Sequence, residues 1–431
     1  MPHPLDIARE YRLREATLDR IEAGHDAILA EIQPTKEQLE HGLELHYGSI
    51  VADAQGGITP LATAGIRSDR MQTELEQLGK KLELEGIDAR ERAQRVGEYH
   101  RRSRAFESAF DQQWIEESRA LNAIVGIDVA EEDVAHPNEN TFEDALTHLA
   151  RSSFAYGHRS DLIRVSGMED IRRGKSEGRT CMVLHLAGVG CFAETDDPVS
   201  NLDLFYALGV RMSQLTYIQD NPLCSSWLQE HDKGLTPLGR EVVGRMNELG
   251  IMVDIAHCGK QSALDAIDAS TEPVLISHTG CAAVYDDSRD TDYVERVLAQ
   301  DYAKGIAKPS KTGNRNADDD VLRALAKKGG VAAFYTIGYM LGTGPESFHT
   351  WAEHVEHAVE VAGIDHVAVG SDRTFFPTWK PSPLDWTNWP YLTVGLLCRG
   401  FSSDDVRKII GGNYLRYAAQ VLDKKPWGPL I

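Results

Sequence analysis

The sequence predicts an α/β fold built on a barrel of parallel strands, and three observations carry that expectation. Short apolar segments recur through the second half of the chain with amphipathic helical stretches between them, which is the alternation of a parallel sheet. The clearest unit runs from Gly239 to His278: a helical stretch Arg240–Leu249 stopped at Gly250, an apolar segment Ile251–Ile255, a second helical stretch Lys260–Ala269, then the apolar Pro273–Ile276. Each apolar segment delivers a histidine just past its end, His257 and His278. Residues at the carboxyl ends of barrel strands converge on one mouth, where two imidazoles form a ready pair of metal ligands.

Taken in order, residues 4–46 read as helix, with Ile21, Ile28, Leu29 and Ile32 on one face. Ser49-Ile50-Val51-Ala52 reads as a short strand, followed by Asp53-Ala54-Gln55-Gly56-Gly57. Residues 68–122 are charged and helical, with many i,i+4 pairs on a solvated face, and suit an added subdomain or an oligomer contact. Residues 131–142 read as a polar linker. A helix over 142–155, a strand at Leu162–Val165 and a helix around Met168–Arg173 follow. Strands are then expected at 181–187, 209–216, 251–255, 273–277, 330–335 and 366–370, with the eighth near 122–128. The division that results is amino-terminal helices (1–48), a barrel (49–67 and 123–422), a helical insertion (68–122) and a carboxyl-terminal tail (423–431).

The 431 residues suffice for a barrel of ordinary size with an added subdomain, and 42% hydrophobic content suits a large core. A net charge of −21 argues against a nucleic-acid backbone or an anionic membrane as partner. The first residues carry no basic stretch followed by an apolar run, and no apolar run reaches the roughly 18 residues of a membrane span. The expectation is a cytoplasmic protein. Its six scattered cysteines, none in a CxxC pair, read as free thiols of a reducing compartment.

Several stretches, in order, carry a resemblance: FYALGVR at 205–211, GLTPLGREVV at 234–243, MVDIAH at 252–257, PVLISH at 273–278, AGIDHVAVGSD at 362–372 and GGNYLR at 411–416. They resemble the membrane (renal) dipeptidase family, the M19 metallopeptidases. The resemblance implies a TIM-like (β/α)8 barrel of the amidohydrolase type whose enzymes hydrolyse dipeptides with two zinc ions. His257 and His278 match the two histidines that bind one zinc. Asp372 matches the aspartate that binds the other zinc and moves protons. Arg289 matches the arginine that holds the substrate carboxylate if that motif is read without a gap; Arg315 matches it if an insertion lies before it.

The departures are as informative. Where the family has a His-x-Asp metal pair, this chain has Asp53-Ala54-Gln55-Gly56-Gly57. The bridging glutamate falls on Ala187, and the histidine that polarises the scissile carbonyl falls on Tyr217. The usual two-zinc site is therefore incomplete, and at most one zinc is expected, held by His257 and His278 with Asp372 and, as a third donor, His185 on the strand before Ala187. The bland alternatives are a core histidine for His185, a turn-capping aspartate for Asp372, a mouth-lining aromatic for Tyr217 and surface salt bridges for Arg289 and Arg315. His354 and His357 read as helix packing, and Cys258 and Cys281 as small residues near the mouth. The insertion at 291–314, with Gly305, Pro309, Ser310 and Gly313, suits a mobile loop.

The function these readings imply is a dipeptidase-like, metal-dependent hydrolase of a small amide or dipeptide with a free carboxylate. Asp372 and Tyr217 would be catalytic, and Arg289 or Arg315 would bind substrate. The alternatives are a metabolite hydrolase or lyase on the same barrel, and a non-catalytic scaffold. The expected partner is a small molecule, with the long amino-terminal helices offering a surface for homo-oligomerisation.

Overall fold

A computed structural model describes residues 3–11, 13–57, 66–135, 141–299, 312–376 and 378–424. Eight strands form one parallel sheet: β1 (Val129–Asp133), β2 (Leu162–Arg164), β3 (Thr180–Leu186), β4 (Val210–Gln214), β5 (Met252–Asp254), β6 (Leu275–Thr279), β7 (Val331–Phe334) and β8 (Val367–Val369). The order is β1-β3-β4-β5-β6-β7-β8, with β2 beside the first half of β3. The extended segment at 51–54 joins the ends of this sheet. Asp53 N donates to Val129 O at 2.9 Å, and Ala54 N donates to Val369 O at 3.1 Å. The Asp53 carboxylate then accepts from Ser371 N at 2.7 Å and from Ser371 Oγ, pinning the end of β8 to this segment. The sheet thus curls into a TIM-like barrel.

Alternation along the strands sorts the interior into layers. The amino ends contribute apolar side chains, among them Val129, Cys181, Val183, Met252, Leu275 and Val331, packed with Tyr414 and Tyr417 of the helix Asn413–Leu422. Two residues further along the same faces stand Glu131, His185, Gln214, Asp254 and Ser277, all buried. The polar layer therefore lies at the carboxyl ends. The opposite faces of the strands bury Leu184, Leu186, Val253, Ile276 and Phe334 against the surrounding helices.

Three expectations need correction. The eighth strand is not at 122–128. Helix Gln112–Val125 runs through most of that stretch and ends on Gly126 at φ 68, and the strand follows at Val129–Asp133. The same strand occupies the start of what reads as a polar linker. Its three carboxylates hide it from a hydropathy reading, yet both glutamates find partners across the fold. Glu131 bonds His185 Nδ1 on the inner face, and Glu132 bonds the Tyr156 hydroxyl on the outer face. His278 also lies within β6 rather than beyond it.

Outside the barrel stand the helices Pro4–Glu10, Glu15–Ile32, Lys36–Gly48, Asp69–Leu84 and Ala89–Phe110. The insertion begins with the helix Thr291–Leu298; its residues 300–311, with Gly305, Pro309 and Ser310, lie outside the described residues, as do residues 425–431 of the tail.

Candidate functional site

The site is assembled at the carboxyl ends of β3, β5, β6 and β8. His257 follows β5 in a left-handed conformation (φ 65), and Asp372 follows β8 in the same conformation (φ 52). Among the described residues the one other non-glycine residue with positive φ is Gln33, a helix cap. Backbone conformations of this kind cost energy and cluster at functional positions. The β6–β7 register shifts between Ile276 and Thr279, the stretch that carries Ser277 and His278. Ser277 Oγ donates to Asp254 Oδ2 at 2.5 Å, and His278 Nδ1 lies 2.8 Å from Ser277 Oγ. That chain orients the imidazole so that His278 Nε2 stands 3.0 Å from His257 Nε2.

Arg315 completes the cluster. Its guanidinium lies 3.2 Å from His257 Nε2 and donates to His278 O at 3.2 Å. It stands over the Tyr335 ring at 5.7 Å. The loop that brings it in is anchored on the motif before the insertion: Arg315 N and Asn316 N donate to the Asp287 carboxylate at 2.8 and 3.1 Å. Asp287 and Arg315, on either side of the insertion, thus meet. Arg289 points away, with 86% of its side chain exposed and an ion pair to Asp286 at 2.7 Å. Of the two arginines left open by the sequence, the structure places Arg315 at the histidines.

The Tyr217 ring lies against His257, centroids 4.2 Å apart. His185 is not drawn to the histidine pair. Its Nδ1 is 3.0 Å from Glu131 Oε1, and its Nε2 is 3.6 Å from Asp254 Oδ2. Burial opposes its charge, but these two carboxylates outweigh burial and raise its pKa. Burial pushes His257 and His278 well below the usual imidazole range, and the Arg315 charge adds to the effect, so both are neutral. Burial pushes the Asp372 carboxyl up to about 6, against the pull of Arg315 and Arg373. Asp372 also lines a cavity of about 470 Å3 that Tyr339 and Trp379 share. His354 is spent on packing, with Cys281 N donating to its Nδ1 at 2.8 Å. His357 pairs with Asp319 at 2.8 Å.

Sequence reasoning missed Glu131, Asp254 and Ser277 as parts of this cluster. The parity of Asp254 with Met252 and of Ser277 with Leu275 was the available signal, because it puts both side chains inside the barrel.

The donors do not fit a bridged pair of zinc ions. The segment Asp53-Ala54-Gln55-Gly56-Gly57 holds no histidine, and Ala187 offers no carboxylate to bridge two ions. A single ion would have two imidazoles with a guanidinium beside them, whereas catalytic zinc ordinarily takes three protein ligands. Among the described residues no group of three or more His, Cys, Asp or Glu side chains is arranged to hold a metal ion.

The pattern of the membrane dipeptidase family, peptidase family M19, matches residues 120–300 and 304–425. The chain belongs to this family. It is 27% identical over 301 residues to the dipeptidase tcpJ of Claviceps purpurea, a match covering 66% of this chain and 64% of that protein. It is 28% identical over 268 residues to an uncharacterized dipeptidase of Schizosaccharomyces pombe, covering 60% and 58% respectively. The chain thus spans less than two thirds of the length of these M19 relatives. Among solved structures, an amidohydrolase from Pseudomonas aeruginosa superposes with TM-score 0.63 at 22% identity, over 89% of this chain and 99% of that one. The probable dipeptidase PvdM from the same organism superposes with TM-score 0.64 at 16% identity, over 90% and 99%. These likenesses carry the fold.

Among the described residues no helix is long and apolar enough to cross a membrane.

Proposed function

We propose that this M19 protein hydrolyses an amide bond in a small substrate with a free carboxylate, a dipeptide or a close relative of one. The observation that carries the reading is the cluster of Arg315, the His257–His278 pair and Tyr217, with Asp372 near enough to feel the Arg315 charge and itself lining a cavity. The curated relatives that share this sequence pattern are named dipeptidases.

In this reading Arg315 takes the substrate carboxylate on its guanidinium fork, which suits planar bidentate recognition. Asp372 accepts the proton of the attacking water, a role for a carboxyl whose pKa lies nearer neutrality than an exposed one. The Tyr217 hydroxyl donates to the oxygen that becomes negative as the carbonyl is attacked. The neutral His257 and His278 complete the polar wall. Metal dependence is proposed at most as one zinc at these two histidines, and no step above runs through it. Localisation in the cytoplasm and assembly through the amino-terminal helices remain parts of the proposal.

The test is elemental analysis of protein purified without chelator, beside the double variant His257→Ala/His278→Ala, followed by a screen of dipeptides and N-acyl amino acids. Dipeptide turnover that falls with Asp372→Asn supports the reading. Two bound zinc ions per chain would overturn the account of the missing ligands, and no turnover of any carboxylate-bearing amide would overturn the reaction. The lack of a histidine in the segment 53–57 and of a carboxylate at Ala187 favours a second reading, an enzyme of another small metabolite on the same barrel; turnover of non-peptide amides alone would select it.

A further inference from the structure

The cavity beside Asp372 is walled by two loops, one after β7 and one after β8, and the same amino-terminal helix is tied to both. Its volume is about 470 Å3, within the range that holds a small ligand. Tyr339 and Pro345 come from the first loop, and Trp379, Pro381 and Pro383 from the second. The Trp379 ring is stacked on Phe376 at 4.2 Å and 16°, yet 49% of Trp379 stays exposed. An apolar ring pair therefore stands at the cavity with surface still to bury.

The polar groups of the wall are mostly satisfied among themselves. Glu346 accepts from Arg373 and from Ser382 Oγ, and from Gly338 N at 3.2 Å. A charged side chain entering here would meet Arg373 and Glu346 already paired with each other. The remaining charges on the lining are Asp372, which the reaction needs, and Lys380, which is exposed.

The walls are held in place from behind. Arg20, near the start of the helix Glu15–Ile32, donates to Trp379 O at 2.7 Å and Lys380 O at 3.1 Å and pairs with Asp385 at 2.5 Å. Near the end of that helix Glu31 accepts from Phe348 N at 2.7 Å and from Ser347 Oγ at 3.0 Å. One helix thus fixes both loops, so the spacing between the walls is built into the fold.

We propose that this cavity is a side-chain subsite for the substrate, that it takes an apolar or aromatic side chain next to the scissile amide, and that the amino-terminal helix sets its width. The inference rests on the reading of the mouth as a hydrolase site for carboxylate-bearing amides. An apolar ring gains by burial against prolines and tryptophan, and a preorganised wall loses little freedom when it binds.

The experiment uses the full chain and calorimetric binding of non-hydrolysable reduced-amide dipeptides. The analogues differ only in carrying a benzyl group, a carboxymethyl group or hydrogen at one residue, and each is tested in both residue orders. In one order the benzyl analogue binds tighter than the glycine analogue by about tenfold or more. Trp379→Ala, at a half-exposed position, removes that preference and leaves glycine-analogue affinity within about twofold, as expected for the loss of one apolar wall. Equal affinity for benzyl and glycine analogues, a preference for carboxymethyl, or equal weakening of all analogues by Trp379→Ala overturns the subsite. If no analogue binds at all, the hydrolase reading falls with it; binding without preference sinks the subsite alone.

Discussion

Arg315 and Arg289 carry the same side chain and stand in opposite circumstances. Arg315 is buried among groups that it bonds, whereas Arg289 is exposed beside a single aspartate. Truncating a buried charged group that holds a ligand ion costs far more than truncating an exposed one. Arg315→Ala should therefore lower kcat/KM by about a hundredfold or more. Arg289→Ala should leave it within about twofold. Steady-state kinetics on any substrate found in the screen checks both, and equal effects would remove Arg315 from the site. Asp372→Asn keeps the shape and removes the base of the proposed function; a loss of about a thousandfold in kcat is expected for a general base. The left-handed backbone at Asp372 and His257 belongs to this scale too. Strain held at two residues that face one mouth fits a geometry fixed for chemistry rather than for packing.

At the scale of elements, barrel closure depends on close approach. A Cβ on Gly370 would lie 1.8 Å from Ser277 O, the backbone that carries His278. Gly370→Ala should force β8 away from β6 and cost about 3 kcal/mol or more, since overpacking against backbone has no soft way out. Chemical denaturation measures this directly, and a variant of unchanged stability would show the approach to be looser. The amino-terminal helix is coupled to the barrel by an ion pair whose partners are 7% and 6% exposed, Arg20 and Asp385. Breaking such a pair leaves a buried charge alone. Arg20→Met should destabilise by about 3–5 kcal/mol, and adding Asp385→Leu should restore much of the loss. No recovery in the double variant would mean that the bonds from Arg20 to the Trp379 and Lys380 carbonyls matter more than the charge pair.

For the molecule as a whole, acid stability is set in part far from the site. Burial pushes His46 down to about 4 while its ring bonds Val125 O and Thr393 Oγ1 at 2.7 Å. His25, bonded to Thr387 O at 3.2 Å, is pushed down by burial to about 3. Their folded pKa values lie below the unfolded value near 6.5. Between the two values the unfolded chain binds the extra proton, so stability is full above about pH 6.5 and falls as pH drops towards 4. The His46 contribution over that window is on the order of 3 kcal/mol. His46→Gln should flatten the pH dependence of the unfolding free energy between about pH 4 and 6.5. An unchanged slope would assign the acid sensitivity to other groups.

The parallel barrel was legible in the sequence because strand–helix alternation, glycine stops and apolar segments are local signals. The two histidines and Asp372 were legible because each follows an apolar segment within a long motif. The strand at Val129–Asp133 was not, since its inward and outward carboxylates look like linker until His185 and Tyr156 are seen to meet them. The sequence alone determined the family pattern, the strand ends that hold the candidate residues and the lack of a carboxylate at position 187. Tertiary structure decided which arginine enters the mouth, because Asp287 anchors Arg315 across an insertion. It also drew His185 to two carboxylates instead of to the histidine pair, and joined the amino-terminal helix to the cavity walls. Each is a contact between residues distant in sequence, made where a charged side chain finds hydrogen-bond partners on another element, and periodicity along the chain carries no record of such contacts.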